Sequence, residues 1–110
     1  MNKPEILLVI TSVPDRATAE RIAASLVTAG VAACVNVQAE CKSIYQWQGK
    51  LEHTDEVALF IKTARAAYPR LEKMLRELHP YDLPEIIALA VSDGLPEYLN
   101  WVVQETQARK

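Results

Sequence analysis

The chain has 110 residues, half of them hydrophobic, and a formal net charge of -2. This length predicts one domain, residues 1–110, with enough apolar side chains for a core. The charge argues against a nucleic-acid-binding protein, which usually presents a basic face. No apolar run approaches the roughly 20 residues that a membrane-spanning helix needs. We therefore expect a cytoplasmic protein with neither a nucleic-acid nor a membrane partner.

The predicted elements follow one another with short connections. In chain order they are a strand over 5–11, a helix over 16–29, strands over 33–47 and 50–63, a helix over 69–79, a strand over 85–91 and a helix over 96–106. Asp15 is a plausible N-cap of the first helix, and Gly30 is a usual helix stop. Pro69 suits the first turn of the second helix, and Pro80 ends that helix.

The two long strands predict a hairpin arm with a tight turn at Gln48 and Gly49. The first strand alternates apolar and polar residues, which is typical of a strand with one apolar face. About 14 residues at about 3.3 Å each give an arm about 45 Å long. A compact domain of this size has a radius of gyration of only about 13 Å. Because a two-stranded ribbon is marginally stable in water, we expect a second copy of the chain to cover the arm, with Tyr45 and Trp47 at the interface.

Two registers are open for the arm. A strict two-residue turn pairs Cys41 with Glu56, which places charge on the apolar face. A shift of one residue pairs Cys41 with Val57 and gives better cross-strand contacts. The shifted register requires either a three-residue turn or one bulge in the arm. We expect one of these two irregularities.

The two cysteines, Cys34 and Cys41, lie on the same predicted strand at an odd spacing. In a regular strand this spacing directs their side chains to opposite faces. Free thiols are also the usual state of cysteines in a reducing compartment. We expect both cysteines to be unpaired.

The order β-α-β-β-α-β predicts an α+β fold, namely a ferredoxin-like split βαβ sandwich. The extended β-hairpin arm and an extra C-terminal helix are additions to this fold. Two helices would cover one face of the sheet and leave the other face open. The first and last strands are almost wholly apolar, so we expect both of their faces to be buried. This pattern also indicates assembly with other copies.

The segment 79–86, His-Pro-Tyr-Asp-Leu-Pro-Glu-Ile, concentrates reactive side chains between the second helix and the last strand. Two interpretations are open. The segment can be a rigid connector in which His79 interacts with the helix dipole, or His79 can contact a ligand or metal with Tyr81 and Glu85 nearby. One imidazole alone is a weak metal site, because tight sites use three or four ligands.

The sequence contains no phosphate-binding glycine loop, no zinc-ligand spacing and no credible nucleophile triad. Each of these patterns would be expected for a common class of catalytic or cofactor site. We therefore expect that the protein is not an enzyme and that it requires no cofactor for folding.

Several motifs together resemble the CutA family of divalent-cation tolerance proteins. They are the runs 11–15 (TSVPD), 32–36 (AACVN) and 45–50 (YQWQGK), the residues Glu56, Lys62 and Thr63, and the runs 79–86 (HPYDLPEI) and 98–101 (YLNW). The resemblance implies a ferredoxin-like subunit in a tight homotrimer similar to the PII signalling proteins. It also implies a link to tolerance of copper and other divalent metal ions.

The resemblance attributes copper binding to a cysteine before the Pro-Asp turn and to a histidine pair before Pro-Tyr. Here Thr11 occupies the cysteine position and Leu78 replaces one histidine. His79 is therefore the remaining candidate metal ligand.

Three classes of function are open from the sequence. The first is a trimeric divalent-metal tolerance protein that uses His79. The second is a PII-like sensor of a small molecule, with Lys62, Tyr81 and Glu85 in a cleft between subunits. The third is a trimeric scaffold that binds a protein partner.

Overall fold

The computed structural model describes residues 4–108 and shows four strands and three α-helices in that range. The elements are β1 (Ile6–Val13), α1 (Arg16–Thr28), β2 (Cys34–Trp47), β3 (Lys50–Ala64), a 3-10 turn (Arg65–Ala67), α2 (Tyr68–Leu78), β4 (Ile87–Ala90) and α3 (Pro96–Glu105). The predicted element order is confirmed. The strand that was predicted over 85–91 is shorter, because residues 85, 86 and 91 lie outside it.

The sheet has the order β2-β3-β1-β4, and every neighbouring pair is antiparallel. The two central strands are therefore β3 and β1, which come from different halves of the chain. This arrangement confirms the ferredoxin-like α+β fold.

Local signals in the sequence set the ends of the helices. The Asp15 carboxylate accepts a 2.7 Å hydrogen bond from the Thr18 N–H, as an N-cap does. That bond holds the pKa of Asp15 below its usual value. Gly30 has a positive φ of 73°, which suits a residue that ends a helix. Pro69 lies in the first turn of α2, where its missing N–H costs nothing.

The core lies between α1, α2 and one face of the sheet. Alternate residues of β1 and β3 point into it, and the side chains of Val9, Leu59 and Ile61 are fully buried. Leu26 of α1 and Leu71 of α2 pack against them and are equally inaccessible. Full burial of each such side chain contributes about 1.5–3 kcal/mol.

The opposite face of the sheet is only partly covered. Helix α3 packs over one end of it, where Leu99 and Val102 contact a small cluster that includes Ile6 and Ala64. We call the uncovered remainder the open face; its apolar residues on β1, β3 and β4 are Leu8, Ile10, Phe60, Ile87 and Leu89. An uncovered apolar surface of this kind usually marks a protein interface.

Strand β4 is uncovered in the single chain, so the prediction that assembly buries both of its faces stays a prediction. All four of its residues are exposed in the single chain, and Ile87 and Leu89 are 50% and 46% exposed. The reason is its position at the sheet edge, where only β1 pairs with it. Contacts within one chain therefore do not explain why β4 consists of apolar residues.

At its tip the arm has the strict register. Trp47 opposes Lys50 and Cys41 opposes Glu56 across a two-residue turn. Both turn residues, at positions 48 and 49, have positive φ angles, 51° and 80°, as a type I′ hairpin turn requires. The three-residue turn is therefore absent, and the predicted pairing of Cys41 with Val57 is wrong.

Nearer the body of the molecule the arm contains one bulge. The pairing shifts by one residue between Val37 and Glu40, so that residues 38 and 39 both lie opposite Ala58. Below the bulge, Val37 opposes Leu59 and faces the core. The predicted bulge is confirmed. It reverses the face to which odd-numbered residues of β2 point.

The bulge also changes the placement of the cysteines. Both thiols are free, as predicted. Cys34 pairs with Lys62 and Cys41 pairs with Glu56, and these partners share one face of β3. The prediction of opposite faces is therefore wrong, because the extra residue at the bulge lies between the two cysteines and places both side chains on the same face of β2. They remain apart by about 20 Å of strand, at about 3.3 Å per residue.

The arm gives the molecule an elongated shape. Its principal extents are 50 × 28 × 23 Å, and its radius of gyration is 14.7 Å, against about 13 Å for a compact domain of this size. Tyr45 and Trp47, near the tip, are 42% and 44% exposed. The arm therefore offers large aromatic side chains to contacts beyond its own chain.

One buried hydroxyl in the core gives a first prediction. Thr11 is fully buried, and its Oγ1 makes no hydrogen bond to the residues at 4–108. An unsatisfied buried polar group costs about 1–3 kcal/mol. We expect Thr11→Val, which keeps the shape, to raise the free energy of unfolding, measured by denaturant titration at fixed protein concentration.

Thr63 supplies the matched control. It is also fully buried, but its Oγ1 donates a 2.8 Å hydrogen bond to the Val31 carbonyl. Thr63→Val should therefore lower the free energy of unfolding. If both substitutions destabilise equally, Thr11 has a partner that the single chain does not contain.

Candidate functional site

A cleft of about 820 Å³ lies between the outer half of the arm and the loop that follows α2. Strands β1, β2 and β3 contribute Ser12, Ser43, Ile44, Tyr45, Trp47, Thr54 and Glu56, and the loop contributes residues 80–85. Ser12, Tyr45, Trp47 and Glu56 belong to the same side of the sheet as the open face. The bulge makes this possible, because it turns the outer half of β2 toward that side. The cleft and the open face are therefore neighbours.

The floor of the cleft contains a buried carboxylate. Glu56, on β3, is only 7% exposed, and its Oε2 accepts a 2.8 Å hydrogen bond from the Tyr81 hydroxyl. Burial, followed by this bond and by the charge of Glu56, raises the pKa of Tyr81 above its ordinary value. Tyr81 is therefore a neutral donor at physiological pH, and it holds Glu56 in place.

His79 lies behind this pair and is also buried. Its Nδ1 accepts a 3.2 Å hydrogen bond from the Tyr81 N–H, and its Nε2 lies 2.9 Å from the Ser12 carbonyl oxygen. Since a carbonyl can only accept, Nε2 carries the proton and the ring is the neutral tautomer. Burial lowers the pKa of His79, although the bond to Ser12 and the charge of Glu56 oppose this effect. His79 therefore fastens the loop to β1.

The outer wall of the cleft is aromatic. The Tyr45 hydroxyl lies 3.1 Å from Thr54 Oγ1 across the hairpin, which fixes the ring on this face. Trp47 follows two residues further along the same face. On the inner side, the rings of Tyr81 and His79 pack at 4.9 Å between centroids, with a tilt of 52°. A ligand in the cleft would therefore meet both rings and carboxylates.

The structure brings together some of the residues predicted for a site. Tyr81 and Glu85 both line the cleft, and His79 supports it from behind. Lys62 lies elsewhere, opposite Cys34 at the other end of the open face, where its Nζ donates a hydrogen bond to Asn36 Oδ1.

Glu56 and Ser12 were not identified as site residues from the sequence. Both belong to strands that are distant in the chain from the loop, so only the folded sheet places them beside it. One feature of the sequence could have identified Glu56: in the strict register it places a charge on the apolar face of the arm. A charge in such a position must have a partner or a function.

The side chains described do not fit a tight metal centre within one chain. Among residues 4–108, no group of three or more His, Cys, Asp or Glu side chains is arranged to hold a metal ion. Both ring nitrogens of His79 are engaged in hydrogen bonds. Thr11 lies on the core side of β1, where its partner in β3 is Leu59. Binding at His79 would first have to break the bond from the Tyr81 N–H or the bond to Ser12.

Within the described range, none of the helices has the length and apolar character needed to cross a membrane.

Comparison with known proteins gives relatives over almost the whole chain. Residues 7–105 match the family described as "CutA1 divalent ion tolerance protein". The divalent-cation tolerance protein CutA of Thermus thermophilus is 41% identical over 99 residues, which are 90% of this chain and 96% of that protein. Protein CutA of Arabidopsis thaliana, named as chloroplastic, is 36% identical over 94% of this chain, which spans 57% of that protein.

Solved structures agree with this result. The crystal structure of CutA1 from the psychrotrophic bacterium Shewanella sp. SIB1 superposes with a TM-score of 0.92 at 39% identity, covering 97% of this chain and 100% of that chain. The match therefore includes the arm and the loop as well as the core. By sequence and by fold, this chain belongs to the CutA1 divalent ion tolerance protein family.

Proposed function

We propose that this chain acts in divalent-cation tolerance as a cytoplasmic homotrimer without catalytic activity. We further propose that the cleft beside Tyr81 and Glu56 is its ligand site. The names of the relatives describe tolerance proteins rather than enzymes, which supports the first part. The open face and the arm support the assembly, and the geometry of the cleft supports the ligand site.

The uncovered apolar surface favours assembly. The open face and the arm leave large side chains in water, among them Ile87, Leu89 and Trp47. Apolar area removed from water contributes about 25 cal/mol per Å², so covering these side chains with another copy is favourable. Closed homo-oligomers are the usual way in which identical chains cover such a surface.

The observation that carries the proposal is the position of the cleft. Its aromatic wall, Tyr45 and Trp47, is part of the exposed arm. A neighbouring subunit that covers the arm would therefore also narrow the cleft. Assembly and ligand binding would share residues, which favours a PII-like sensor over a simple scaffold.

Copper, which the resemblance implies as a ligand, is a weaker part of the proposal. His79 has no free nitrogen in its native hydrogen-bonded state, and no cluster of three donors is arranged around it within residues 4–108. Metal affinity depends on the number of donors that converge. We propose that direct copper binding by His79 is weak and that His79 positions the loop.

A prediction follows for the assembly. Light scattering should give about three times the chain mass of 12.3 kDa. Trp47→Ala should shift the protein toward smaller species on dilution, because a buried aromatic contributes about 3–5 kcal/mol. Val27→Ala is the control, since Val27 is 41% exposed but lies on α1, away from the open face. A wild-type monomer at micromolar concentration would contradict the trimer.

Titration calorimetry tests the metal site. Copper(II) should bind the wild type more weakly than micromolar, and His79→Ala should change the affinity little. A nanomolar site that disappears in His79→Ala would show that ligands from another subunit complete a copper centre. In that case His79 would be a metal ligand in the assembly.

The role of His79 also predicts a pH dependence. Its pKa is lowered in the folded state, so the unfolded chain takes up a proton first as pH falls. The contribution of His79 is therefore complete above its ordinary pKa of 6.5, and it is lost as pH falls through the lower folded value. We expect the wild-type free energy of unfolding to decline between pH 7.5 and 5, and His79→Gln to decline less steeply.

His53 provides the control for this measurement. It lies exposed on β3 in the arm, so His53→Gln should leave the decline as steep as in the wild type. Equal slopes in His79→Gln and the wild type would show that other groups cause the acid sensitivity.

A further inference from the structure

We propose that the cleft binds a linear aliphatic polyamine, an inference that rests on the proposed function of the cleft as a ligand site. It deepens that proposal by naming the chemical class of the ligand.

The lining of the cleft is charged with one sign. Its described residues include three carboxylates, Glu56, Asp82 and Glu85, and neither lysine nor arginine. Low-dielectric walls strengthen the field of such a set and raise the local concentration of cations. The cleft therefore selects positively charged ligands and repels phosphates and carboxylates.

Glu56 gives the most specific evidence for a cation. It is more than nine-tenths buried, and only its Oε2 accepts a hydrogen bond, from Tyr81. No lysine or arginine among residues 4–108 forms an ion pair with it. No hydrogen bond from residues 4–108 reaches its Oε1, and Glu56 lines the cleft. A buried carboxylate without a counter-charge is costly, and a donor cation in the cleft would remove that cost.

The aromatic wall distinguishes an organic cation from a metal ion. The rings of Tyr45, Trp47 and Tyr81 line the same cleft. Aromatic faces attract ammonium groups, with about 0.5–2 kcal/mol per contact, and they pack well against methylene groups. A hydrated divalent ion gains little from such a wall.

The spacing of the carboxylates leads to the same conclusion. Among the described residues they do not converge as metal ligands do, although all three border one cleft of about 820 Å³. Separate carboxylates match a ligand with separate positive charges along an apolar chain. Each ammonium group offers three donors to such acceptors. A polyamine combines these properties.

Titration calorimetry with spermidine tests the inference on the full-length protein, with its oligomeric state measured by light scattering in the same buffer. We expect saturable binding to the wild type. Glu56→Gln keeps an acceptor for Tyr81 but removes the charge, and it should weaken spermidine binding at least tenfold. Glu77→Gln, on the exposed surface of α2 and outside the cleft, is the control and should bind as the wild type does.

Two more measurements make the result decisive. Glu85→Gln replaces an exposed loop carboxylate, so it tests the cleft even if Glu56→Gln does not fold, and it should also weaken binding. Titration of 1,6-hexanediamine against 1,6-hexanediol separates charge from chain packing, and the diol should not bind. Equal spermidine affinity in the wild type, Glu85→Gln and Glu77→Gln would overturn the inference, because binding would then be non-specific surface attraction.

The outcomes for the ligand and for the assembly are separable. A trimer that does not bind spermidine at millimolar concentration overturns the polyamine inference and leaves the proposed assembly intact. A trimer that binds magnesium more tightly than spermidine in the same cleft also overturns it, in favour of a metal site. A monomer that binds spermidine overturns the trimer and leaves the ligand class intact.

Discussion

The bulge opposite Ala58 determines to which side of the sheet each half of β2 directs its side chains. Between the bulge and the body of the molecule, Val37 faces the helices and contributes to the core. Between the bulge and the tip of the arm, Tyr45 and Trp47 face the opposite side of the sheet. One extra residue in a strand reverses the direction of every side chain beyond it. Without the bulge, these aromatic residues would point to the helix side, and the cleft would lose its outer wall. The bulge thus divides the arm into a part that contributes to the core and a part whose aromatic side chains lie on the side of the open face.

The cleft is held by a short chain of hydrogen bonds that joins three parts of the fold. The Ser12 carbonyl on β1 accepts from His79, whose Nδ1 accepts from the Tyr81 N–H, and the Tyr81 hydroxyl donates to Glu56 on β3. Each donor and acceptor in this path has its partner within the protein, and no hydrogen bond from residues 4–108 reaches Glu56 Oε1. The path therefore fixes the loop and leaves one oxygen available in the cleft. This explains why a histidine that resembles a metal ligand in sequence has a structural role in the fold.

Much of the fold could be predicted from the sequence, because local chemistry determines it. Asp15, Gly30 and Pro69 fix helix ends by backbone geometry, and the alternation in β2 identifies a strand. The position of the bulge could not be predicted, because the period-two pattern specifies a face only up to the next irregularity. For the same reason the two cysteines were assigned to opposite faces.

The candidate site was predictable only in part. Tyr81 and Glu85 lie in one loop with His79, so the sequence showed them together. Glu56 joins them through the sheet, and Lys62 lies away from them although it is close to Glu56 in the chain. The state of His79 depends on a backbone carbonyl of β1 and on a backbone N–H of its own loop. Backbone groups carry no residue identity, so no sequence pattern could have revealed those bonds.

The central claim is that other copies of the chain cover the open face and the outer arm. Hydroxyl-radical footprinting of the native protein tests it directly at Ile87, Leu89 and Trp47, with Val27, 41% exposed on α1 away from the open face, as an internal reference. If other copies cover this surface, the first three side chains are modified far more slowly than their exposure in one chain would allow, while Val27 reacts at the rate of an exposed side chain. Rapid modification of Leu89 and Trp47 in the native protein would show that this surface is in water and would contradict the account.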